Sequence, residues 1–293
     1  MPIGAAFPPI DTGSDPGAVR AFIQAVEDLG YDHLVVFDHV MHPDMGTRPT
    51  RKRVYGPASV FREIFVLLGY AAAITSRLEL VTGVLVLPQR QTALVAKQVA
   101  ELDVLSGGRM RLGVATGWNQ VEYACLGADW ADRGARSEEQ ITVLRELWTK
   151  ELVTFNGRWH TIPNAGLNPM PVQRPIPIWI GGGADAVLQR IAQIGDGWYV
   201  NANRYGPDTV KPQVEKLHAY LAEVGRDPVS VGMEAWVLLK DGGPDDWMTE
   251  TRGWIDAGTT HVTANTNGTD AEFPDGHIEL LKRYKEAASE LTL

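Results

Sequence analysis

The chain has 293 residues, 44% of them hydrophobic and 22% charged, a length for one large or two average domains of ordinary globular composition. A formal net charge of −9, with no basic run denser than Arg51-Lys52-Arg53, argues against nucleic acid or an anionic membrane as partner. The single cysteine, Cys125, excludes an internal disulfide and a thiolate metal cluster.

The opening "MPIGAAFPPIDTG" has no basic segment ahead of its apolar residues, so no signal peptide is expected. Within it "PIGAAF" reads as a first strand. "AVRAFIQAVEDLG" then places Val19, Phe22, Ile23, Val26 and Leu29 on one face of a helix that ends at Gly30. "HLVVFDH" is short and apolar, as a strand buried on both faces is. The pattern continues with helix in "PASVFREIFVLLGYAAAIT", strand in "LELVTGVLVL" and helix in "TALVAKQVAELDVLSGGR". "MRLGVATG" is strand, "SEEQITVLRELWT" helix, "IPIWIGGG" strand and "ADAVLQRIAQIG" helix. "GWYVNA", "VSVGMEAWVLL" and "THVTANT" are strands, each followed by an amphipathic helix. The longest apolar run, "FVLLGYAAAIT", is far short of a membrane span. A cytoplasmic chain without a membrane partner is expected.

Eight strand–helix units predict an α/β chain folded as a (β/α)8 TIM barrel, one domain over residues 1–293. A doubly wound open sheet is the alternative. Two connections are long. One, from His39 to Pro57, leaves strand two toward the barrel mouth, as a lid or substrate wall would. The other runs from Gly157 to Pro175, with "TFNGRWHTI" as a hairpin pattern around Asn156-Gly157 inserted before strand five.

Functional residues of such a barrel sit after the carboxyl ends of its strands. Strand two ends in Asp38 and His39. A histidine there suits proton transfer near neutral pH, or a structural hydrogen bond. Gly83 interrupts strand three and marks a bulge, a close backbone approach or simple curvature. Strand four ends in Thr116-Gly117-Trp118-Asn119, which offers a hydroxyl, an aromatic face and an amide; Trp118 also fits a core position. Gly181-Gly182-Gly183 leave strand five just before a helix at Ala184. Free N–H groups at a helix start beside glycines suit a phosphate, although a tight turn has the same composition. The spacing matches neither a nucleotide P-loop nor a dinucleotide fingerprint. No histidine pair has metal-ligand spacing, so no metal is expected, and Cys125 reads as a buried, inert thiol.

Taken together, "FDH", "TGVLVLPQRQTALVAKQVAELDVLSGGRMRLGVATGW", "LGADWADRGARSEEQITVLRELWT" and "PIPIWIGGGADAVLQRIAQIGDGW" resemble the luciferase-like monooxygenase superfamily, barrels that bind FMN or the deazaflavin F420. The stretch from Gly113 to Trp148 is most similar to its probable F420-dependent oxidoreductases. The resemblance implies a non-prolyl cis peptide at Gly83-Val84 supporting the cofactor ring, with Asp38, Thr116, Gly117 and Trp118 near it. It implies that Gly181, Gly182, Gly183 and Ala184 wrap the cofactor phosphate, and that His39 takes a proton from the substrate. The position of Trp118 is a glutamate in the sugar-phosphate dehydrogenases of the superfamily. Here that second acid–base group is missing, and Trp118, with Tyr123 and Tyr55, suits an apolar organic substrate. The expected function is therefore F420-dependent hydride transfer to or from a small organic molecule. The alternatives are an FMN-dependent monooxygenase supplied by a separate reductase, and a non-catalytic flavin-binding barrel. A second copy of the chain, as a homodimer, is the other partner left open.

Overall fold

A computed structural model of the chain describes residues 1–9, 12–42, 59–240 and 242–289. Each predicted strand is present, short and buried. In chain order the first five are β1 (Ile3–Ala6), β2 (His33–Val36), β3 (Glu79–Thr82), β4 (Leu85–Val86) and β5 (Met110–Ala115). After a two-stranded hairpin of β6 (Val153–Asn156) and β7 (Thr161–Ala165) come β8 (Ile178–Gly181), β9 (Gly197–Tyr199), β10 (Gly232–Leu238) and β11 (His261–Asn265).

All pairings outside the hairpin are parallel, in the order β3-β2-β1-β11-β10-β9-β8-β5-β4, and β3 pairs back onto β5 to close the sheet. β3 and β4 both pair with β5, so they are one barrel stave interrupted at residues 83–84. That leaves eight staves, a (β/α)8 barrel. The helices between them are α1 (Pro16–Asp28), α2 (Ile64–Ile74), α3 (Thr92–Ser106), α4 (Gln120–Cys125) and α5 (Arg133–Thr149). They continue with α6 (Asp185–Ile194), α7 (Pro207–Glu223), α8 (Pro244–Asp256) and α9 (Asp275–Ala288). No helix among the described residues is long and apolar enough to cross a membrane.

Strand alternation divides the interior in two. Leu34, Val36, Leu80, Leu112, Ile178 and Ile180 belong to the large core between staves and helices. Val35, Val81, Trp179 and Tyr199 form a small inner cluster with Val84 against it. Beside this cluster the barrel is polar. Glu234 accepts from Arg111 at 2.6 Å and from His33 at 2.9 Å, and the hydroxyl of Thr263 also donates to it. Arg111 stacks 4.3 Å from the Trp179 ring. A buried carboxylate persists only when paired and hydrogen-bonded, as Glu234 is.

The hairpin at Asn156-Gly157 is present, and its tip is bound to α5: Glu139 accepts the N–H groups of Arg158, Trp159 and His160. Cys125 is exposed, not buried, because α4 turns Glu122 and Tyr123 inward and leaves Val121, Ala124 and Cys125 on its outer face. Most of the long connection after strand two, including Tyr55, lies outside the described residues.

Candidate active site at the carboxyl ends of the strands

Glycines let the backbone pack closely at the mouth of the barrel. The Gly83-Val84 peptide is cis. Thr82, just before it, turns its hydroxyl onto β5, donating to the Gly113 carbonyl at 2.7 Å and accepting from the Gly113 N–H at 2.8 Å. A Cβ at Gly83 would lie 2.2 Å from Val35, so only glycine fits there. Gly117, at φ +65, has Val86 where its Cβ would go. A Cβ at Gly181 would touch Val84 at 3.1 Å and Ala115 at 3.5 Å, so these three residues from three staves converge. They make a cradle beside the inner cluster, against which Val84 packs.

The glycine loop continues this cradle into the start of α6. Gly182 sits at φ +126; its N–H donates to Tyr199, and its carbonyl accepts from the Trp198 indole. Its amide is therefore committed to the fold. Gly183 accepts from the Tyr205 hydroxyl at 3.2 Å. Among the described residues, the N–H groups of Gly183 and Ala184 make no hydrogen bond. They point the loop's donor capacity to the helix start, where the dipole favours an anion. Asp185, at the first helical position, is engaged by Tyr220 at 2.8 Å and Lys216 at 3.2 Å.

The pair after strand two divides its labour. Asp38 is buried, and its carboxylate accepts from the Val86 N–H at 2.9 Å and from Arg90 at 2.6 Å. Burial raises its pKa above the ordinary value, with Arg90 pulling the other way. Both its oxygens serve the chain. His39 stands beside it with Phe61 and Trp118 edge-on, at ring-centre distances of 4.9 and 5.9 Å. Its Nδ1 lies 3.1 Å from Glu122 Oε2. Thr116 presents its carbonyl to the Tyr123 hydroxyl at 2.7 Å, which fixes the strand-four loop.

Glu122 comes from α4, a short helix between the fourth predicted strand and the helix predicted over "SEEQITVLRELWT". Asn119 caps it by accepting from Val121 and Glu122 N–H groups, and also donates to the Met41 carbonyl at 3.3 Å. The signal for Glu122 was the Asn-x-x-Glu pattern of a helix start. Arg133 and Arg136 also went unremarked. They occupy the first turns of α5, which has no acidic residue in its first turn, and Arg136 donates to the Pro88 carbonyl at the strand-three turn. Their i, i+3 spacing puts both on one helix face.

These residues lie where a (β/α)8 barrel carries its functional site, at the carboxyl ends of the strands. The chain belongs to the luciferase-like monooxygenase family, which matches it over residues 4–288. It is 33% identical over 270 residues to an uncharacterised protein of Mycobacterium tuberculosis, covering 90% of this chain and 91% of that one. It is 34% identical over 172 residues to the FMNH(2)-dependent dimethylsulfone monooxygenase of Pseudomonas fluorescens, covering 58% of this chain and 46% of the relative. Its fold matches an F420-dependent secondary alcohol dehydrogenase solved with an F420-acetone adduct, at a TM-score of 0.80 and 19% identity over 98% of both chains. Family members are oxidoreductases and monooxygenases, and both cofactor types occur among these similar proteins.

Proposed function

We propose that the whole chain, as one barrel domain, is an F420-dependent oxidoreductase that transfers hydride to or from a small, uncharged organic substrate at the barrel mouth. The observation that carries this reading is His39, held at 3.1 Å by Glu122 and walled by Phe61 and Trp118. Hydride transfer to a carbonyl, or from an alcohol, needs a proton moved at the same place, and His39 is the group at the mouth suited to move it. The two rings form an apolar wall and favour a substrate without charge.

When bound, the deazaflavin supplies hydride donation or acceptance; the chain fixes and shields the reacting groups. The cradle of Val84, Ala115 and Gly181 fits the ring, and the amides of Gly183 and Ala184 fit the phosphate. Thr116, Gly117 and Trp118 border the same mouth. Asp38 acts from beneath, by holding β4 through Val86. The choice of F420 rests on the resemblance between Gly113 and Trp148. Titration of the protein with oxidised F420 and FMN side by side, read by fluorescence quenching, tests it. Tight F420 binding is expected. Tight FMN binding with no F420 binding overturns the reading.

A second reading has specific support. The similarity to an FMNH(2)-dependent monooxygenase over 172 residues favours an FMN-dependent monooxygenase that receives reduced flavin from a separate reductase. Oxygen consumption on adding reduced FMN and a substrate would mark that case.

A further inference from the structure

Three hydrogen bonds converge on the Glu122 carboxylate, whose side chain is 1% exposed. Oε2 lies 3.1 Å from Nδ1 of His39. Oε1 accepts the main-chain N–H groups of Val40 and Met41, the two residues that follow His39. An ionised carboxylate only accepts, so the hydrogen shared with His39 must sit on Nδ1. A neutral imidazole carries one N–H, which places its lone pair on Nε2.

We propose that Glu122 is a positioning residue that fixes His39 as the Nδ1–H tautomer and makes Nε2 the proton-accepting atom at the barrel mouth. The sequence lacks an acid at Trp118. Glu122, one helical turn further on, supplies a carboxylate of different use: it faces the histidine and orients it. Its ionised state fits this role. Burial opposes ionisation, but the hydrogen bond from His39, the charge His39 carries once it has taken a proton, and the N–H groups of Val40 and Met41 outweigh it and hold the pKa below the ordinary 4.5. The competing account is a clamp alone, in which Glu122 and Asn119 tie down residues 40–41 and the tautomer of His39 is incidental.

Glu122→Gln separates the two. The carboxamide oxygen can still accept from Val40 and Met41, so a clamp survives. Its NH2 group then faces Nδ1 and donates, which moves the histidine hydrogen to Nε2. The experiment is a long-range 1H–15N spectrum of the full chain labelled with 15N-histidine, with the His39 signals assigned by their loss in His39→Ala. The wild type is expected to show the Nδ1–H form and Glu122→Gln the Nε2–H form, with unchanged circular dichroism. An Nε2–H form in the wild type overturns the proposal, as does an Nδ1–H form kept by a folded Glu122→Gln. Should that variant not fold, the wild-type spectrum alone decides.

The role rests on reading His39 as the group that moves a proton, but the spectrum needs neither cofactor nor substrate. A failed tautomer assignment and a failed functional reading are therefore told apart. In turnover, Glu122→Gln is expected to lose on the order of 10²–10⁴-fold with cofactor affinity kept.

Discussion

His39 lies three residues beyond β2, with its Nδ1 on Glu122 and its ring edged by two aromatic side chains. His39→Ala removes the group proposed to move the proton without touching the cradle. Turnover is expected to fall by roughly 10²–10⁴-fold, with cofactor affinity close to wild type, as steady-state rates and a binding titration would show. Full activity in the variant would make His39 structural. Asp38, its neighbour, behaves differently: Asp38→Ala leaves Glu63, whose side chain is 40% exposed, as the remaining carboxylate on the Arg90 guanidinium among the described residues. Losing one partner of a buried pair costs about 3 kcal/mol, measurable as a drop in urea stability. Nothing in "FDH" separates these two fates. What separates them is Arg90, distant in sequence, which claims Asp38 but not His39. For the same reason Glu122 was illegible as a partner: the contact spans 83 residues and depends on where a six-residue helix lands.

At the scale of elements, α6 and the loop before it carry the clearest expectation. Ala184 caps α6 at φ −74, a value proline adopts freely, and its N–H has no partner among the described residues. Ala184→Pro therefore deletes a donor that the fold does not use. If the loop holds a phosphate, cofactor affinity should fall about tenfold or more, the worth of a hydrogen bond to a charged group, while the melting temperature stays put. Unchanged affinity would reduce the glycines to a turn. The elements themselves were largely legible, because short apolar runs alternate with amphipathic stretches and leave no ambiguity of period. Gly83 announced the break in the third stave, and Asn156-Gly157 announced the hairpin through its turn chemistry. The helix α4 escaped because fewer than two turns give no period to read, only a cap.

The interior of the whole barrel was the least legible part, because it is assembled from single polar residues in separate strands. His33, Arg111 and Glu234 each look like one misplaced polar residue in an apolar run, and their pairing exists only once the sheet closes; His261 packs beside them against the rings of His33 and Trp179. That closure makes stability depend on pH in a definite direction. Burial, reinforced by the nearby Arg111 charge, lowers the pKa of His261 from 6.5 to about 4. The unfolded chain thus binds a proton near pH 6.5 that the folded chain refuses until about 4. Stability is lost as pH falls through that window, by at most about 3 kcal/mol. Glu234 acts lower. Burial opposes its charge, yet Arg111 and His33 outweigh burial and hold its pKa well below 4.5. Its contribution is complete above 4.5 and is lost only as pH falls further. Urea unfolding at pH 7, 5.5 and 4.5 should therefore show stability declining as the pH falls. His261→Phe keeps a ring against Trp179, 4.9 Å away, and should flatten the decline between pH 7 and 4.5. A wild-type stability that is constant over this range would mean that His261 is solvated, and that the interior of the barrel is wetter than its packing implies.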